Sequence, residues 1–363
     1  MVNFPIKLNY NRVWRTYQGG DILNELQGQN KINEPEEWIA SMVVARNIGR
    51  EHIPNEGASV LSQNPKQTLK QFIEQNPIEC LGENHINQCG INTGVLVKLI
   101  DSNERLTIQV HPDRQKAMEL FGSHYGKTES WYILNNDNEV EKPYIYLGFK
   151  EGITREYWKE LFEKQDIKQM LNCLHKFEVK QQDAVLICGG VPHAIGKGCF
   201  LLETQEPTDY TIRVERTTPS GLEVNDFLCH QGLGFDKMFD CFNYEGKTRE
   251  ETYETWFIKP VETTDKAQNK IRQVIKYKDT PFFSANAIDV KTELTLDLSD
   301  QFSVLYILEG HGQLKVGSKK ELLNAGDQFF IPATINELHI TNTTNAPLRM
   351  MQCFGPQIEG VIE

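Results

Sequence analysis

The sequence has no run of about 18 apolar residues, so nothing in it reads as a membrane-spanning helix. Its first residues, MVNFPIKLNYNRVW, lack the charged-then-apolar order and the cleavage site of a secretory leader, and a soluble, unprocessed, cytoplasmic protein is expected. Blocks of Lys and Arg are missing too: 38 basic residues face 50 acidic ones, a formal net charge of −12. Phosphate neutralisation needs clustered positive charge, so neither a nucleic acid nor a membrane is expected as a partner. Any anionic ligand must then be held by a local cationic site. The eight cysteines (Cys80, Cys89, Cys173, Cys188, Cys199, Cys229, Cys241 and Cys353) include no C-x-x-C pair and sit mostly in apolar runs such as Val185-Leu186-Ile187-Cys188. That usage reads as buried reduced thiols rather than a disulfide framework or a zinc–thiolate site.

The chain does have apolar material: 39% of its 363 residues are hydrophobic, enough for one large core or two ordinary ones. Between 94 and 147 it reads as short strands divided by turns: GVLVKLIDS, RLTIQVH, SWYIL and PYIYLGF. A helical stretch interrupts at 154–174, where Tyr157, Leu161, Ile167, Met170 and Leu171 recur near helical spacing. Strand signals resume with KFEVK, AVLIC and CFLLETQ, and so many closely spaced strands imply a β-barrel or β-sandwich. After a blurred stretch from Pro219 to about Asp265, a second β-rich block follows, from FFSANAIDV to LRMMQCF. The two blocks share a local grammar. Residues 181–190 (QQDAVLICGG) align with 324–333 (NAGDQFFIPA), each a turn ending in Asp, a short apolar strand and a second turn, so the barrel unit is read as duplicated.

One constellation in the first block carries chemistry. Gln109 and His111 stand at i and i+2, which on a strand puts both side chains on one face. Glu129 begins the strand 130–134, and a neighbouring antiparallel strand would bring its carboxylate opposite. His193 follows the turn Gly189-Gly190-Val191-Pro192. Two imidazoles, a carboxylate and an amide oxygen suit Zn²⁺ or a similar divalent ion and leave a position open for water or substrate. The remaining histidines (His52, His85, His124, His175, His230, His311 and His339) have no comparable context and read as structural or surface groups.

At these residues the chain resembles the type I mannose-6-phosphate isomerase family, a group of the cupin superfamily. The resemblance rests on TIQVHPD (107–113), YGKTESWY (125–132), VPHAI (191–195) and ETQEPTDYTIR (203–213), which span the first barrel; 13–41 and the second barrel are only loosely similar. The resemblance implies a mainly β fold of two cupin (jelly-roll) barrels with an N-terminal extension and helical insertions. It implies one zinc ion per chain, held by the residues matching the family ligands, Gln109, His111, Glu129 and His193. The implied activity is the interconversion of mannose 6-phosphate and fructose 6-phosphate through an enediol, in which a metal polarises a sugar oxygen and a base carries a proton between C1 and C2. Lys127 matches a family lysine proposed as an acid/base, Arg213 the active-site arginine, and Glu203 and Asp209 stand at its matching offsets. Thr107 occupies a position often held by Ser near the phosphate, so Thr107, Lys127 and Arg213 are expected at the substrate, and Lys127, Arg213, Asp209 and Glu203 at the chemistry. Two departures bear on substrate: Ser220 follows Thr218-Pro219 where longer members carry a lysine, and Gly126 stands where they carry a histidine.

The expected organisation is an extension over 1–87 packed on the first barrel and a metal-binding barrel over 88–218 with its helical insertion at 154–174. A connector with helical pieces over 219–275 and a second barrel without a metal site over 276–363 complete it. Glu203, Gln205, Asp209, Thr211 and Arg213 are alternate residues of a strand-like run and are expected to share a face, although Pro207 interrupts it. Competing readings are a non-catalytic cupin that binds a sugar or sugar phosphate, an isomerase of a related phosphosugar, and an iron-dependent cupin oxygenase. Gln109 and the Lys127–Arg213 pair have no evident role in the last of these. Monomer and homodimer are both open.

Overall fold

The computed structural model describes residues 2–30, 32–135, 142–298 and 301–357. They form two β-barrels, each a pair of packed antiparallel sheets. In the first, a seven-stranded sheet runs in the order Phe257–Ile258, Ala184–Ile187, Glu129–Ile133, Phe200–Gln205, Leu96–Asp101, Glu36–Ile39 and Arg12–Val13. Its inner face packs on a five-stranded sheet ordered Leu174–Glu178, Tyr144–Phe149, His193–Ile195, Gln109–Val110 and Ile212–Arg213. Ile100, Trp131, Ile133, Val185 and Ile187 from one sheet meet Ile145, Leu147 and Ile195 from the other.

The second barrel pairs a nine-stranded sheet with a four-stranded one built from Glu293–Asp297, Glu337–Asn342, His311–Val316 and Lys319–Asn324. The outer faces of the two large sheets pack on each other: Val97, Leu99, Leu186 and Leu202 of the first lie in one core with Ala285, Val304, Tyr306, Met351 and Cys353 of the second. Strands such as Leu96–Asp101 are therefore buried on both faces, which is why they read as continuous apolar runs rather than alternating ones.

The shared turn grammar is a shared structure. In the first barrel the amide of Ile133 donates to Asp183 O, Gln182 donates back to Ile133 O, and the Asp183 carboxylate accepts from Lys180 N. In the second, Ile307 donates to Asp327 O, Gly326 donates to Ile307 O, and the Asp327 carboxylate accepts from Asn324 N.

The helical stretch is two helices, Arg155–Lys164 and Ile167–Asn172, capped by Thr154 and Asp166. Trp158, Leu161, Phe162 and Met170 bury against Ile108, Val110, Phe149 and Ile212, covering the outer face of the five-stranded sheet.

The first 68 residues differ from an extension laid on one barrel. Arg12–Val13 and Glu36–Ile39 extend the first barrel's sheet, whereas Ile6–Leu8, Val60–Leu61 and Asn64–Thr68 extend the second's. The stretch expected as a connector likewise donates Phe257–Ile258 to the first barrel and Val261–Thr264 and Lys270–Ile275 to the second. Val261–Thr264 is exposed throughout, so no apolar alternation marks it as a strand.

Candidate metal centre and catalytic cavity

Two rows of cross-strand neighbours build the site. On the five-stranded sheet, Gln109 pairs with His193 on one side and Arg213 on the other. On the seven-stranded sheet, Trp38 pairs with Lys98, Lys98 with Glu203, and Glu203 with Trp131. Glu129 stands two residues before Trp131, on the same face of its strand. Its carboxylate thus comes from the sheet opposite the histidines, not from a strand adjacent to theirs.

His111 Nδ1 donates to Tyr210 O at 2.8 Å and His193 Nδ1 to Val191 O at 2.9 Å, which fixes both tautomers and leaves both Nε2 atoms as lone pairs. Those lone pairs lie 3.2 Å from Glu129 Oε2 and 3.2 Å from Oε1 respectively. All three side chains are buried; the Lys127 ammonium lies 2.9 Å from Glu129 Oε2, while Glu129 Oε1 and His193 Nε2 face each other with no ammonium on their side among the described residues. Acceptors facing acceptors in a buried site are repulsive unless a cation lies among them. The Gln109 amide adjoins His193 Nε2 at 3.2 Å, and exchanging its two ends, which are alike in shape, brings Oε1 to the same centre. Two imidazoles, a carboxylate and an amide oxygen fit a borderline divalent cation.

The electrostatics agree. Burial pushes the His111 imidazole down to about 3, and the Lys127 ammonium adds to the effect; burial likewise lowers His193. Both rings therefore stay neutral and able to ligate. Burial alone would raise the Glu129 carboxyl, but the Lys127 ammonium beside it holds it well below its ordinary range. Lys127 Nζ lies 2.9 Å from both Glu129 Oε2 and His111 Nε2, at the edge of the ligand set, where the motif expected it.

Beyond the ligands, the cavity wall carries Arg15, Glu36, Lys98, Thr107, Glu203 and Arg213. Arg213 has no carboxylate partner among the described hydrogen bonds: it donates to Leu228 O at 3.0 Å and Thr211 O at 3.3 Å. Burial, then the Arg15 guanidinium, lowers it to about 10. The run from Glu203 to Arg213 does not share a face as expected. It leaves the seven-stranded sheet after Gln205 and enters the five-stranded sheet at Ile212, so Glu203 and Arg213 look at each other from opposite walls. Glu203 accepts from Trp131 Nε1 at 3.1 Å and lies 3.1 Å from Lys98 Nζ, while burial and the Glu129 carboxylate push its pKa up.

Asp209 stands behind the wall. It takes two hydrogen bonds from Arg15, at 2.5 and 3.0 Å, and a third from Arg46 N at 2.9 Å. It touches the cavity through Arg15, and although burial opposes its charge, Arg15 holds it far below the usual carboxylate range.

Sequence reasoning missed Lys98, Arg15 and Glu36. The available signal was Lys98 itself, a charge inside the apolar run GVLVKLIDS, since a fully buried lysine requires a carboxylate partner. Ser220, the first departure, donates to Glu104 through both its N and Oγ, at 2.7 and 2.9 Å. Gly126, the second, is a matter of space: a Cβ there would lie 2.8 Å from Arg114 N and 2.9 Å from Pro112 O, so no histidine fits without moving the backbone behind His111.

The cavity is narrow, about 20 Å³, room for one water. Roomier cavities lie elsewhere, about 420 Å³ between the barrels and about 540 Å³ beside His85 and Tyr277; neither gathers a metal-ligating group among the described residues.

The chain is similar to known proteins in sequence and in fold. Residues 51–142 match the model of the phosphomannose isomerase type I catalytic domain, and residues 273–346 match that of the mannose-6-phosphate isomerase cupin domain. The chain is 28% identical over 250 residues to the mannose-6-phosphate isomerase of Streptococcus mutans, covering 66% of this chain and 69% of that one. It is 27% identical over 249 residues to a probable mannose-6-phosphate isomerase of Bacillus subtilis, covering 69% and 72%. A crystal structure of the mannose 6-phosphate isomerase from Bacillus subtilis superposes with a TM-score of 0.75 at 24% identity, over 96% of this chain and 99% of that one, and shares the fold.

Proposed function

From the premise that this chain is related to the type I phosphomannose isomerases, we propose that it interconverts mannose 6-phosphate and fructose 6-phosphate, with one zinc ion held by Gln109, His111, Glu129 and His193. The observation that carries the reading is the joint geometry of the two walls: a buried ligand set of two imidazoles and a carboxylate, bordered by Lys127, Lys98 and Arg213. A sugar phosphate needs both kinds of group. A divalent ion, when bound, supplies Lewis acidity toward a sugar oxygen and the charge that develops on it.

The chain's own residues do the rest. Arg213, with no carboxylate hydrogen-bonded to it among the described residues, offers its planar fork to an anionic substrate oxygen, and Thr107 adds a hydroxyl to the cavity lining. To Lys127 Nζ, at the edge of the ligand set, we assign the transfer of a proton between C1 and C2 by way of an enediol. Glu203, on the neighbouring strand of the same sheet and held by Lys98 and the Trp131 indole, is a second proton-transfer group. Asp209 serves by orienting Arg15. A cytoplasmic setting accords with eight cysteines present as thiols.

Metal-replete protein incubated with mannose 6-phosphate should form fructose 6-phosphate, read by a coupled reductive assay; no turnover rejects this substrate. Chelation should abolish the activity and added Zn²⁺ restore it, with elemental analysis finding about one zinc per chain. Lys127→Ala should lower kcat by about 100-fold or more with the metal retained. A sugar-binding cupin without catalysis would keep its ligand affinity and have no turnover to lose.

A further inference from the structure

We propose that Gln328, on the second barrel, is a positioning residue for the catalytic cavity of the first, acting through the strand Glu36–Ile39. Alternation along that strand sends Glu36 and Trp38 toward the cavity and Glu37 and Ile39 toward the second barrel. Gln328 is fully buried, and two of its three side-chain hydrogen bonds leave its own barrel, the third reaching the main chain just past the strand Ile6–Leu8 beside it. Its Nε2 donates to Glu37 Oε1 at 2.6 Å and to Asn9 O at 2.9 Å, and its Oε1 accepts from Ala40 N at 3.1 Å.

One amide therefore grips the strand beside Glu36 and again just past its end. The second grip falls on a strained residue: Ala40 adopts φ +47, a left-handed conformation that an alanine holds only when its surroundings impose it.

On the strand's other face the held groups are those of the cavity. Glu36 accepts from Tyr17 OH at 2.9 Å and from Trp38 Nε1 at 2.7 Å, and lies 3.3 Å from Arg15 Nε and 3.7 Å from Lys98 Nζ. Arg15 and Lys98 also lie over the Trp38 ring, at 5.6 and 4.9 Å. A shift of the strand moves Glu36, and with it two cations of the wall. The second barrel thus sets the catalytic geometry without supplying a group to the chemistry.

Its kinetic reading rests on the proposed isomerase activity; its spectroscopic reading does not. The test compares Gln328→Met, which keeps length and loses all three hydrogen bonds, with Gln352→Met. Gln352 is a buried neighbour on the same sheet whose side chain bonds to Ser303 Oγ at 3.1 Å within the second barrel. Gln328→Met should lower kcat/KM at least about tenfold with metal content unchanged and should move the Trp38 indole N–H resonance, leaving that of Trp158 in place. Gln352→Met should do neither. Glu36→Gln should lower kcat/KM as well, and the double variant should be no worse than Glu36→Gln alone, because both act on one path. If Gln328→Met does not fold, Gln328→Asn, which shortens the reach, takes its place in every comparison. An unmoved Trp38 resonance, equal losses in the two methionine variants, or losses that multiply in the double variant would overturn the proposal. Should the wild type lack mannose 6-phosphate turnover, the isomerase reading fails and the Trp38 resonance alone decides this one.

Discussion

Arg15, Lys98, Lys127 and Arg213 are buried around one cavity with Glu36, Glu129, Glu203 and Asp209, and taking so many charges out of water is tolerable only because nearly every one is held by another. The Arg15–Asp209 pair is the tightest of these. Asp209→Ala strands a buried guanidinium whose remaining carboxylate, Glu36, is 3.3 Å away and shared with Lys98, so a loss of about 3–5 kcal/mol of folding stability is expected. Urea titration of the metal-loaded protein measures it, and a loss below about 1 kcal/mol would mean that Arg15 finds another partner. The four candidate metal ligands, Lys127 and Arg213 were legible as residues, because the Q-x-H spacing and the motifs are local in sequence. Lys98, Arg15 and Glu36 were not, because each becomes significant only beside a partner from another strand.

At the scale of elements, the turns decide how the ligands meet. Gly126 and Gly189 both press on the segment behind His111: a Cβ on Gly189 would lie 2.4 Å from Asp113 Cα, and one on Gly126 would lie 2.8 Å from Asp113 C. Gly126→Ala should therefore push Lys127 away from the ligand set and lower kcat/KM by about 10- to 100-fold. Wild-type steady-state kinetics in that variant would show that the turn yields without moving the lysine. The strands, the helical pair 155–172 and the duplicated Asp turn were readable because apolar periodicity, caps and turn residues are local signals. The expectation that residues 203–213 share a face failed for a physical reason. Thr208-Asp209-Tyr210 belong to a crossing between two sheets, where alternation along a single strand no longer tells which way a side chain points.

For the whole molecule, the joint between barrels is polar at its centre as well as apolar around it. Glu37 is fully buried there, with donors from Asn11 N, Gln27 and Gln328 at 2.6, 2.8 and 2.6 Å. Burial nevertheless pushes its carboxyl up to about 7 from 4.5. The folded protein thus keeps this proton up to about pH 7, whereas the unfolded chain releases it near 4.5. Stability from this group is complete below 4.5 and falls as pH rises to 7, by on the order of 3 kcal/mol. Glu37→Gln has no such proton, so its stability relative to wild type should improve by that amount between pH 4.5 and 8, read from paired denaturant titrations. A constant difference across that range would mean Glu37 is ionised throughout in the folded state.

Composition, periodicity and motif order by themselves determined that this is a mainly β chain with a duplicated barrel unit, a candidate metal-ligand set and a neighbouring lysine and arginine. Those features are written in residues close together along the chain, where spacing and type carry the chemistry. Only the tertiary structure decided that Glu129 faces the histidines from the opposite sheet, that Lys98 and Arg15 join the cavity wall, and that the first 68 residues stitch the two barrels together. These relations depend on cross-strand register and on which faces of two sheets meet, and packing fixes both between segments too far apart in sequence for any local pattern to record.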